Sequence, residues 1–129
     1  MTTRQTTVPP EAERATRRAA EQMRHQIDDE MCRSASRILE LVGRRWNSGI
    51  LLALGRGASR FSEITRSVSG LSDRMASVRL KELEHARLVE RVVEPTTPVS
   101  IHYRLTRRGQ ELLDALQPIS RYGVRWESR

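Results

Sequence analysis

A chain of 129 residues is long enough for one compact domain with a modest core and too short for two ordinary ones. Its 23 Lys and Arg residues against 16 Asp and Glu give a net charge of +7, which makes a polyanion a natural partner. The single cysteine, Cys32, excludes an internal disulfide and a cysteine-rich zinc site and fits a reducing cytoplasm, while the charge-studded first 31 residues exclude a secretory signal or a membrane span there.

The charge is unevenly spread. Residues 1–31 hold five arginines and six acids, which leaves 18 cations against 10 acids, or +8, on the remainder. The folded part is therefore the basic part, as expected of a binding face rather than a basic tail. Residues 1–8 are polar without a period and are expected to form a disordered tail. Pro9-Pro10 sit where a helix can begin, and Ala12, Ala15, Ala19, Met23, Ile27 and Met31 then recur every three or four positions. The result is a helical extension over 9–31 whose apolar stripe needs a partner. A second helix follows Cys32, carries Ile38, Leu39, Leu41 and Val42, and is expected to stop at a left-handed Gly43. Asn47 is expected to cap a third helix, apolar through Leu54 and so the most buried of all.

Arg60-Phe61 reads as a short extended link, after which Ser62 caps, and Glu63 supports, a short helix through Val68. Ser69-Gly70-Leu71 breaks it, and Ser72 caps a longer helix from Asp73 to about Ala86. A break of three residues between two helices is the spacing of a helix-turn-helix unit. Residues 88–93 are β-prone, Pro95-Thr96-Thr97-Pro98 is turn chemistry, and Ser100 to Leu105 alternates polar with apolar, which makes a β-hairpin. Thr106 caps a last helix with Leu112, Leu113, Leu116 and Ile119 on one face. The expected architecture is mainly α with a small β-hairpin wing (α+β). A winged helix-turn-helix domain over 32–106 is joined by extra helices at 9–31 and 107–129 that serve dimerisation.

Several ordered stretches carry a family resemblance across residues 32–123. They are Cys32, Gly43-Arg44-Arg45-Trp46, Arg60-Phe61-Ser62-Glu63-Ile64, Leu71-Ser72 with Met75, and Arg79-Leu80-Lys81-Glu82-Leu83-Glu84. Leu88-Val89-Glu90-Arg91, Pro95, Pro98, Tyr103-Arg104-Leu105-Thr106 and Gly109 complete the set. In these the chain resembles the HxlR-type winged helix-turn-helix regulators of bacteria. The resemblance implies a cytoplasmic, DNA-binding transcriptional regulator, acting as a homodimer, with Cys32 at the position of a redox or electrophile sensor. The chain departs from the family's pattern at Arg33, Glu94 and His102, where a proline, a tyrosine and an acid are common.

On a helical wheel Ser72, Met75, Ala76, Arg79, Leu80, Leu83 and Ala86 fall on one side, and Arg74, Ser77, Val78, Lys81 and His85 on the other. The first set is expected to pack, with Arg79 satisfied by carbonyls or an acid. Residues early in a recognition helix approach base edges, so Ser72, Asp73, Arg74, Ser77 and Val78 are the candidate readers, with Lys81 nearer the phosphates. Arg74 can donate two parallel hydrogen bonds to guanine O6 and N7, and Val78 can touch a thymine methyl. Arg60, Thr97, Ser100, His102 and Arg104 are further candidates, the last four on a wing along the backbone or in the minor groove. One short helix and a wing bury too little DNA for strong specific binding, which favours a homodimer on a palindromic site. Cys32 has two readings: a reactive thiolate favoured by a helix start and by Arg33, or a small buried hydrophobe at the dimer interface. The first allows an oxidant or small-molecule effector. No nucleophile-base set, phosphate loop, metal site or cofactor motif can be assembled, and His25, His85 and His102 are dispersed. The competing reading is a winged helix used as a protein-interaction module, which would lack a basic face and bind with a weaker dependence on salt.

Overall fold

A computed structural model describes residues 9–127, apart from the side chains at 26–28. The tail expected at 1–8 and the Ile27 side chain of the stripe lie outside the described residues. The chain divides into two compact units, one ending at Leu41 and one beginning at Val42. No helix among the described residues is long and apolar enough to cross a membrane.

The first unit is helical from Pro10 onward. α1 (Pro10–Gln26) starts at the proline pair, which supplies a fixed φ where no N–H is needed. It carries Glu11 and Glu13 in its first turn, where acids complement the helix dipole. A π-helical turn, Ile27–Met31, leads directly into α2 (Cys32–Gly43). Cys32 is thus the first residue of α2, at the helix start expected from the sequence, and is preceded by π-helical backbone. Ala12, Ala15, Ala19, Met23 and Met31 of the stripe are all exposed in the single chain.

The second unit is built around α3 (Asn47–Gly55), which is apolar on nearly every side; Ile50 and Leu51 are completely buried. Full burial of each such side chain contributes about 1.5–3 kcal/mol. α4 (Phe61–Ser67), α5 (Asp73–His85), β2 (Ser100–Leu105) and α6 (Arg107–Trp126) all pack against α3. They contribute Ile64, Leu80, Leu83 and Leu113 to the core.

Three local expectations are corrected. Gly43 is not left-handed; the chain reverses at Trp46, with φ 84°, whose ring is close enough to Gly70 that a Cβ there would lie 3.1 Å from it. Asn47 does not cap α3. It is the first residue inside the helix, wholly buried, and its Nδ2 donates to Glu82 Oε1 at 3.3 Å, so its side chain is turned to the core and away from the helix end. Ser62 is not a cap either, since Arg60 precedes α4 and Glu63 Oε1 accepts the Arg60 backbone N–H at 3.0 Å. By contrast Ser72 and Thr106 cap as expected, accepting from Met75 N at 3.1 Å and Gly109 N at 3.0 Å.

β1 (Val89–Glu94) and β2 form an antiparallel hairpin whose register runs from Val89 opposite Leu105 to Glu94 opposite Ser100. Its base is fastened on both sides. Tyr103 N donates to Ser59 O at 2.7 Å, and Thr106 donates through N to Leu88 O at 3.1 Å and through Oγ1 to Arg87 O at 2.7 Å. α6 passes so close that a Cβ on Gly109 would collide with Leu88 O, which leaves room only for glycine.

α3 and α5 end alike. Ala58 N donates to Ala53 O and Gly57 N to Leu54 O beyond α3; Leu88 N donates to Leu83 O and Arg87 N to Glu84 O beyond α5. This paired closure needs a left-handed residue just past the helix, and α3 uses Gly57 at φ 107° where α5 uses Arg87 at φ 62°. Arg87→Gly should therefore raise stability by about 0.5–1 kcal/mol, measured by urea unfolding. The bonds at this position, Arg87 N to Glu84 O and Thr106 Oγ1 to Arg87 O, use only its backbone atoms and survive the change.

Candidate nucleic-acid interface

The inner face of α5 is fixed before its outer face can matter. Ala76, Leu80 and Leu83 are buried, and Met75, Arg79 and Ala86 are half-buried. Among these apolar contacts one carboxylate collects three donors. Glu82 Oε2 pairs with Arg79 Nη1 at 2.9 Å, and Glu82 Oε1 meets Arg44 Nη1 at 3.2 Å and Asn47 Nδ2 at 3.3 Å. Arg79 thus has the acid partner expected of it. The same acid ties α5 to the start of α3 and to the loop before it.

With that face occupied, Arg74, Ser77, Val78 and Lys81 share the exposed side of α5, and Val78 leaves 47% of its surface uncovered. Asp73 and Ser72 are exposed at its first turn. Ser72 is the one wheel assignment to change, because its Oγ is engaged as the cap and not packed against the core. Arg60 is exposed at the start of α4.

The wing candidates are placed differently. Thr97 is exposed at the hairpin tip, in a cis bond to Pro98, and Thr96 Oγ1 donates to Pro98 O at 2.8 Å. Ser100 Oγ lies 2.9 Å from His102 Nε2, which also stands 3.8 Å from Glu94 Oε2. Arg104 Nε donates to Glu90 Oε2 at 3.0 Å, and this bond, with the charge of Glu90, raises the arginine further above its ordinary range. On the wing, Arg104 is therefore engaged with an acid of the partner strand and His102 is held by Ser100, which leaves the exposed face of α5 the less encumbered cationic surface. Arg44, Arg45 and Glu82 lie in stretches that carry the family resemblance but are not among the candidate site residues read from the sequence. Their signal is the Arg-Arg-Trp run and an acid at a helix position flanked by core leucines.

The sequence profile of the HxlR-like helix-turn-helix family matches residues 41–129, which include all of these elements from α3 onward. The chain belongs to the HxlR-like family. Its class is that of a DNA-binding transcriptional regulator. Among its relatives in Bacillus subtilis (strain 168), the uncharacterized HTH-type transcriptional regulator YvaP is 41% identical over 97 residues, covering 75% of this chain and 90% of that protein. The HTH-type transcriptional regulator YodB is 42% identical over 87 residues, covering 67% and 78%. The crystal structure of diamide-treated YodB superposes with a TM-score of 0.66 at 38% identity, covering 75% of this chain and 96% of that one. Quinone-bound YodB superposes at 0.62 and 33% identity, covering 72% and 97%.

Glu82→Ala should destabilise this HxlR-like domain by about 1–3 kcal/mol in urea unfolding, because it removes the acceptor shared by a buried amide and a largely buried guanidinium. Glu82→Gln keeps one acceptor oxygen and is expected to cost less.

Proposed function

We propose that this HxlR-like chain is a repressor that binds a palindromic operator as a homodimer, with one α5 per subunit in the major groove. The observation that carries the reading is the division of α5 into a core-locked face and an exposed face of Arg74, Ser77, Val78 and Lys81. Arg74 in the first turn reads guanine through paired donors, Ser77 and Val78 meet neighbouring base edges, and Lys81 lies toward the phosphates. Ser72 and Asp73, exposed at the first turn of α5, lie toward base edges, and Arg60 approaches the adjacent backbone. Thr97 and Ser100 meet DNA at the wing, where Arg104, already paired with Glu90, and His102, hydrogen-bonded to Ser100, act more to stiffen the hairpin than to read.

Two apolar surfaces support the homodimer. One is the exposed α1 stripe, in which Met23 is 64% exposed; the other is the second half of α6, where Ile119, Tyr122, Val124 and Trp126 are uncovered. The first half of α6 is committed to its own core through Leu113, so the dimer surface on this helix begins beyond it. An effector input at Cys32 is supported by the exposure of the thiol, by the adjacent Arg33, and by the relative YodB having been crystallised reduced, diamide-treated and quinone-bound. A buried-hydrophobe role at this cysteine would require a partner surface to cover it.

The reading is tested on the best duplex recovered from a random pool by in vitro selection. Arg74→Ala should lose roughly 10- to 100-fold in affinity for that duplex, about 1–3 kcal/mol, and little for random DNA. Equal losses on both would contradict base reading by Arg74. In a second measurement, diamide or a quinone should release the wild type from the selected duplex and leave Cys32→Ser bound. Release of both would contradict the cysteine's role.

A further inference from the structure

We propose that Arg45 is a phosphate-binding residue that grips the DNA backbone beside the recognition helix, held ready by its stack on Trp46. The inference rests on the reading of α5 as the helix that enters the groove.

Adjacent arginines here have different fates. Arg44 turns to Glu82, at 3.2 Å, and its charge is met by an acid. Arg45 is exposed and pairs with no carboxylate among the described residues. Its guanidinium carbon instead lies 4.4 Å from the centroid of the Trp46 ring. A ring face attracts the cation without consuming its N–H donors, so the hydrogen-bonding capacity of Arg45 remains available.

The ring is itself fixed. Trp46 adopts φ 84°, a costly conformation for a residue with a side chain, and its far edge rests against Gly70. Gly70, at φ 84°, lies in the turn between α4 and α5, two residues before the Ser72 cap. One indole therefore ties the free cation to the turn that delivers Arg74 to its target. An extended planar cation with open donors, immobilised before binding, matches the chemistry of a phosphodiester, which it can grip with little further loss of side-chain freedom. Such a contact positions the protein and carries no sequence information of its own.

The test compares wild type, Arg45→Ala, Arg45→Lys and Arg74→Ala on the selected duplex and on a random-sequence duplex across a KCl series, with thermal unfolding of each. Arg45→Ala should weaken binding to both duplexes by a similar factor, roughly tenfold, and flatten the log–log salt slope by about 0.9 per bound subunit. Its preference for the selected duplex should stay at the wild-type value, and its melting temperature should fall by no more than the few degrees that an exposed cation–π stack is worth. Arg45→Lys, which keeps the charge, should keep most of the slope. If Arg45→Ala retains the wild-type slope while Arg74→Ala loses its preference, the Arg45 contact is overturned and the reading of α5 stands. A wild type with neither preference nor salt dependence overturns both.

Discussion

Everything in the second unit follows from a helix that solvent cannot cover. α3 offers apolar side chains in nearly every direction, so it must be wrapped, and α4, α5, β2 and α6 wrap it. Each of those elements is consequently two-sided. α5 spends Ala76, Leu80 and Leu83 on the wrapping, and the period of the helix then leaves Arg74, Ser77, Val78 and Lys81 nowhere to point but outward. Glu82 adds what apolar contact alone lacks, because hydrophobic burial is non-directional, whereas three donors converging on one carboxylate fix the rotation of α5 relative to the start of α3.

The hairpin and α6 are fastened to α5 at its C-terminal end. Arg87 O, Leu88 O and Thr106 Oγ1 are shared among the closure of α5, the base of the wing and the cap of α6. The close approach at Gly109 locks this junction sterically. α5, the wing and α6 thus radiate from one knot of backbone hydrogen bonds, which suits a DNA-binding protein whose parts must hold a fixed geometry on a stiff polyanion.

Much of this was legible in the sequence where the determinants are local. Ser72 and Thr106 cap through their own side chains within three residues, the hairpin announces itself by alternation and prolines, and the leucine period of α5 orients its faces. Several of the misreadings share one physical cause, distance along the chain. Asn47 has the right side chain for a cap but is drawn inward by Glu82, 35 residues away. Trp46 takes the left-handed turn that residue preferences assign to Gly43, with its ring against Gly70. The engagement of Arg104 by Glu90 becomes visible only once the strand register sets the two opposite each other. The π-helical turn before Cys32 has no local signature that distinguishes it from ordinary helix.

The central claim is that the exposed face of α5 reads base edges, once per subunit, on a symmetric site. Guanine-N7 methylation interference on the selected duplex tests it most directly, because N7 is one of the two atoms assigned to Arg74 and lies in the major groove. The expected result is a pair of guanines, related by the twofold axis of the site and about one helical turn apart, whose methylation abolishes wild-type binding and has no effect on the residual binding of Arg74→Ala. Tight binding that tolerates methylation at every guanine, or the same interference pattern in Arg74→Ala, would contradict the assignment of Arg74 as the guanine reader.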